Sequence, residues 1–139
     1  MKTACFKYEG PGRISIARST RGVPKGFRHF HRLAPGPWFN EVSEQEYRAL
    51  FDRDMLGRLD PQATWDALHA LVAPHEPILL CWEKPPLTTE NWCHRRIVAE
   101  WFEKHLGVKV PELGSEPQGV AVGESLTLPF GDSAPQRRT

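Results

Sequence analysis

Residues 90–101 read ENWCHRRIVAEW and set a thiol, an imidazole and two guanidinium groups in consecutive positions, Cys93, His94, Arg95 and Arg96. A short way upstream, Cys81 and Glu83 add a second thiol and a carboxylate. A thiol beside an imidazole is the pairing of nucleophilic catalysis: the ring takes the proton and the sulfur attacks. At a helix start the thiol gains acidity, because unpaired N–H groups and the macrodipole favour the thiolate. Those same N–H groups hold a phosphate or carboxylate equally well. With Asn91 as N-cap, Cys93 and His94 fall at the second and third helical positions. Cys93 is then the candidate nucleophile, His94 or Glu83 the general acid or base, and Arg95 an anion contact. The plain alternative makes Cys93 a small buried hydrophobe and His94 a satisfied helix residue.

Cys81, Cys93, His94 and Glu83 also raise the question of a metal. The spacing Cys-x₁₁-Cys-His lacks the paired cysteines of structural zinc sites. Neighbouring helix residues such as Cys93 and His94 seldom reach one ion well, so the expectation is no metal and no cofactor. A disulfide between Cys81 and Cys93 stays open, since geometry decides it. Cys5 is most simply core.

A second candidate feature is a basic loop. Between Gly10 and Asn40 stand Arg13, Arg18, Arg21, Lys25, Arg28 and Arg32, with no Asp or Glu, although the whole chain is nearly neutral at +1. Phe27, Phe30, Trp38 and Phe39 are interleaved with them. Cations for phosphates and rings for bases are the ingredients of nucleotide or single-strand recognition. Arg18, Arg21, Lys25 and Arg28 are therefore candidate anion-binding residues. The competing reading tucks the rings into the core and leaves the charges wet.

The elements that must position these groups can be read from pattern. TACFKY (3–8) and RISIAR (13–18) are short alternating runs parted by Gly10, Pro11 and Gly12, two strands whose pairing is open. Residues 19–40 are broken by Gly and Pro into a long loop, of the kind that tends to be functional or mobile. Ser43 with Glu46 is a capping box, with Val42 and Tyr47 placed as a hydrophobic staple, opening a helix over 44–52. Asp60 before Pro61 opens a second helix reaching Ala73, with Ala63, Ala67, Leu68 and Leu71 on one face. PILLCWE (77–83) is the continuous apolar run of a strand buried on both faces. The helix of the opening motif runs from about Asn91 to Leu106 and stops at Gly107. Its inward stripe is Ile97, Val98, Trp101, Phe102 and His105, with Arg96 and Glu100 paired outside. VKVPEL offers a last short strand. The order strand, helix, strand predicts an α/β domain over 1–113 with a mainly parallel sheet flanked by helices. Residues 114–139, rich in Gly, Ser and Pro, form a peripheral tail in which VAVGESLTL (120–128) is a candidate hairpin.

The segments LLCWEKPP and WCHRRIVAEWFEKHLGVKVPE, with ISIARSTRGVPKGF and RLAPGPWF upstream, resemble the family called domain of unknown function 488. The likeness spans roughly residues 3–112. It implies a strand ending in Leu-Cys-x-Glu, a loop, and Cys-His-Arg opening a helix, with Cys81, Glu83, Cys93, His94 and Arg95 as motif residues and Ser15 and Arg18 beside them. Two departures stand out: the loop between Cys81 and Cys93 is longer than usual, and STRG replaces a Trp-Pro pair after Arg18.

Composition sets the outer limits. The 139 residues suit one domain, 40% apolar and 25% charged like an ordinary soluble globule. MKTACFKYEG carries no apolar run of signal-peptide type, and no stretch is long enough to span a membrane. Three cysteines suit reduced thiols in a cytoplasm better than a secreted scaffold. The expected function is an anion-binding thiol site, an enzyme acting on a nucleotide or nucleic acid. The alternatives are a non-catalytic nucleotide or nucleic-acid module and a thiol redox sensor.

Overall fold

The computed structural model describes residues 1–114 apart from positions 24, 86 and 89; the expected hairpin over 120–128 lies outside the described residues. Four strands form one parallel sheet: β1 (Lys2–Cys5), β2 (Arg13–Ser15), β3 (Arg28–His29) and β4 (Ile78–Cys81), in the spatial order β1-β4-β2-β3. The two early apolar runs thus contain strands, shorter than the pattern suggests, that do not pair with each other. β4 lies between them, with Leu79 opposite Thr3 on one side and Ile14 on the other. That central place explains the continuous run ILLC, in which every residue is buried. Gly12 makes the approach possible. It sits at φ +83° where a Cβ would overlap the Glu76 carbonyl oxygen, and its own carbonyl accepts from Ile78 N–H at 2.7 Å.

All three helices pack on one face of the sheet. α1 (Glu44–Asp54) opens with the expected capping box: Ser43 Oγ accepts from Glu46 N–H at 3.2 Å and Glu46 Oε1 accepts from Ser43 N–H at 3.3 Å. α2 (Pro61–Val72) starts on Asp60, whose carboxylate accepts from Ala63 N–H at 2.8 Å. α3 (His94–Leu106) ends at Gly107 in the left-handed region, φ 67°. Phe51 from α1, Leu68 from α2 and Val98 and Phe102 from α3 meet Ile14, Ile16 and Leu79 in the main core. Each such side chain, once buried, contributes on the order of 1.5–3 kcal/mol. The opposite face is covered by loop residues instead, with Phe6, Tyr8, Phe27 and Leu113 over Ala4, Ile78 and Leu80. No described helix is long and apolar enough to cross a membrane.

Several local expectations change. On α2 Leu68 and Leu71 pack on the core as expected and Thr64 joins them, while Ala63 is exposed. On α3 His105 is exposed rather than inward. Arg96 does not pair with Glu100: it donates to Thr3 Oγ1 at 3.0 Å and to the Val110 carbonyl at 2.7 Å, and Glu100 pairs with Arg48. Two buried acceptors hold the guanidinium better than one exposed carboxylate. VKVPEL supplies only an isolated parallel bridge, Glu112 beside Thr3. The 19–40 loop contains the two-residue β3 and a 3₁₀ turn over His31–Leu33.

Candidate functional site

Cys81 is the last residue of β4 and faces the helices, as Leu79 does two residues earlier. The chain returns to it through the 82–92 loop. Asn91 closes that loop rather than capping α3: its amide donates to the Lys84 carbonyl at 2.7 Å, and its N–H donates to Thr88 Oγ1 at 3.0 Å. The N-cap is Cys93 itself, in extended backbone (φ −146°, ψ 144°), with His94 the first helical residue. The break from extended to helical backbone between the two turns both side chains to one point. Cys81 and Cys93 share a small cluster with Ala17.

His94 organises the sulfurs. Its Nε2 lies 2.7 Å from the Ile16 carbonyl oxygen, a group that only accepts, so Nε2 carries the hydrogen. In the neutral ring Nδ1 is then the bare acceptor. It stands 3.5 Å from Cys81 Sγ and 3.9 Å from Cys93 Sγ, and either thiol can donate to it. Glu83 Oε1 lies 3.9 Å from Cys81 Sγ. Ile16 follows β2 directly, so the site bridges the C-terminal ends of β2 and β4, where open α/β sheets hold ligands.

The electrostatics reverse the expectation for Cys93. Burial pushes its thiol well above the ordinary value, the adjoining Cys81 sulfur pushes the same way, and His94 opposes them only in part. Removal from water outweighs the neighbouring imidazole. Burial likewise raises Tyr47, and the Cys81, Cys93 and Glu83 charges add to it.

Arg95 is not an anion contact. Its side chain is fully buried, with Nε and Nη2 donating to the two Glu112 oxygens at 2.9 and 2.8 Å and Nη2 also to the Glu83 carbonyl at 2.6 Å. Burial works against its charge, yet Glu112 holds the guanidinium above its ordinary pKa. The signal was present in Glu112, but a partner 17 residues away is invisible without the fold.

A cavity of about 640 Å³ opens over the three side chains, within the roughly 300–1,000 Å³ of small-molecule sites. Cys81, Cys93, His94 and Glu83 line it, and Arg18 reaches it while donating to the Pro35 carbonyl at 3.1 Å. Arg21, Lys25 and Arg28 are exposed and do not line it. Ser15 is buried, and its Oγ accepts from Ala17 N–H. Of the aromatic walls, Phe39 is one of the rings interleaved with the basic loop, whereas sequence reasoning missed Tyr47, Trp82 and Trp92 and the amides of Asn40 and Asn91. Their one legible signal is adjacency, since Trp82 follows Cys81 and Trp92 precedes Cys93. Among the described residues, Phe39 and Trp82 are the large apolar side chains left most exposed, at 41% and 45%. Trp82 is fixed by an Nε1–H bond to the Ser19 carbonyl at 2.8 Å.

The donor atoms of Cys81, Cys93 and His94 all lie within 4.8 Å of one another. The geometric ground for excluding a metal therefore fails, because the adjacent Cys93 and His94 do reach one point. Compared with protein-family models, with curated proteins and with solved structures, the chain matches none.

Proposed function

We propose that the cavity is the active site of a thiol enzyme in which Cys81 is the nucleophile and His94 its base. The observation that carries this reading is the locked His94 ring, with Nε2–H held by the Ile16 carbonyl and Nδ1 turned to the sulfurs. Cys81 replaces Cys93 in the role because it is the nearer thiol and Cys93 is held protonated by burial. His94 Nδ1 takes the Cys81 proton as sulfur bonds to an electrophilic carbon, and the imidazolium returns that proton to the leaving group. Water then releases the bound fragment, with His94 or Glu83 as base.

The walls favour a flat heteroaromatic substrate bearing negative charge. Trp82, Trp92 and Phe39 line the cavity with aromatic rings, Asn40 with an amide, and Arg18 with a cation. A nucleotide, or a base within a nucleic acid, has that chemistry. The exposed Arg21, Lys25 and Arg28 on the same loop as Arg18 favour a substrate whose phosphates extend beyond the cavity. On this reading the chain is a divergent member of the domain of unknown function 488 family.

The test is site-resolved alkylation of the native, reduced, chelator-treated protein. Cys81 is expected to label before Cys93 and Cys5, and His94→Ala to slow Cys81 by on the order of 10²-fold, the lower end for a general base. A Cys81 that stays inert until unfolding overturns the assignment.

A further inference from the structure

We propose that Cys81, Cys93 and His94 form a three-ligand site for zinc or another soft divalent ion, with the fourth position open to the cavity. The two sulfur–nitrogen separations fit. Bonds of about 2.3 Å to sulfur and 2.0–2.1 Å to nitrogen put tetrahedral S···N edges at about 3.6 Å. The two S···N distances here are 3.5 and 3.9 Å. The ring is already set for coordination, because the Ile16 carbonyl on Nε2–H fixes the tautomer that leaves the Nδ1 lone pair free. The donors select the ion: thiolates and imidazole suit zinc, and magnesium and calcium prefer oxygen.

Charge points the same way. Two buried thiolates would be costly alone, but with a divalent cation they form a neutral unit, and binding releases the two thiol protons. Two cysteines and one histidine with an open position is a donor set of catalytic rather than closed structural zinc. The open side here is the aromatic cavity, so the fourth ligand would be water or an electron-rich group of whatever enters.

This site uses the side chains of the proposed thiol enzyme, and the two uses exclude each other at any moment. A sulfur bound to the ion is not free to attack, so thiol chemistry belongs to the metal-free protein and metal occupancy switches it off.

The experiment is titration of the reduced, chelator-stripped full chain with cobalt(II) under anaerobic conditions, followed by zinc(II). Expected are one cobalt per chain, a thiolate-to-cobalt charge-transfer band, tetrahedral visible bands, and loss of all of these on adding zinc. Cys81→Ala, Cys93→Ala and His94→Ala should each weaken binding at least about tenfold, while Cys5→Ala binds like the wild type. Because a variant can fail to fold, X-ray absorption of the zinc-loaded wild type provides a second measurement, expected to show two sulfur neighbours and one imidazole. No charge-transfer band, or a spectrum without sulfur ligands, overturns the metal site. Alkylation separates the two readings. A reactive Cys81 in protein that binds no cobalt leaves the thiol enzyme and sinks the metal. Cobalt bound through sulfur, with Cys81 inert in the stripped protein, does the opposite.

Discussion

Removing the Glu112 carboxylate isolates a buried charge. The Arg95 side chain has no solvent exposure and Glu112 only 6%, and two of the guanidinium nitrogens bond that one carboxylate. Glu112→Leu leaves Arg95 the Glu83 carbonyl as its acceptor among the described residues, where its Nη1 already has no partner. Thr3 Oγ1 also loses its 2.6 Å acceptor. Breaking a buried pair from one side costs about 3–5 kcal/mol. At about 4 °C per kcal/mol for a domain of this size, Tm should fall by roughly 12–20 °C. The double variant Arg95→Met with Glu112→Leu removes both charges and should recover most of the loss, because an apolar pair of similar bulk needs no desolvation. Denaturant and thermal unfolding of the wild type, both single variants and the double variant measure the coupling. A loss below about 1 kcal/mol for Glu112→Leu, or a double variant no better than the singles, would refute the assignment of Arg95 to an internal ion pair.

Three further outcomes are expected. Because the folded state raises the Cys93 pKa, its stabilising contribution is complete below the unfolded thiol value of about 8.5 and declines as pH rises above it; Cys93→Ala should flatten that alkaline limb in unfolding measured against pH. Ser43→Ala removes the cap of α1 and should cost about 1 kcal/mol in denaturant unfolding, without changing Cys81 alkylation. Replacing Arg21, Lys25 and Arg28 together with Ala should leave Tm nearly unchanged, while single-stranded nucleic-acid binding weakens and its salt dependence flattens; a wild type that binds no such ligand at low salt removes the polyanion part of the substrate reading.

Local signals in the sequence carried the fold well. Ser43 with Glu46, Asp60 before Pro61, and Gly107 each act within a few residues of themselves, so the three helices could be placed before any contact was known. The apolar run of β4 likewise announced burial on both faces. Partners distant along the chain were illegible. Arg96 reads as a surface residue until Thr3 and Val110 are seen beside it, and Arg95 reads as an anion contact until Glu112 takes it. The site itself was half legible. Cys81, Glu83, Cys93 and His94 do converge, but Cys93 at a helix start promised an acidic thiol and burial decided otherwise. The Ile16 carbonyl that fixes the His94 ring belongs to the backbone, which no residue type can advertise.

The union of Thr3, Arg95 and Glu112 has a consequence for the order of synthesis. Thr3 and Glu112 are 109 residues apart, and Arg95 precedes Glu112 by 17. On the ribosome, Cys81, Cys93 and His94 are made before the carboxylate that neutralises the neighbouring guanidinium. Until residue 112 emerges, Arg95 lacks the carboxylate that holds it, and the first turn of α3 meets β1 through Arg96 and Thr3 without that ion pair beside them. A nascent chain therefore carries both sulfurs for a time without the buried ion pair beside them. The bond that joins residues 3 and 112 can form only after that, late in synthesis.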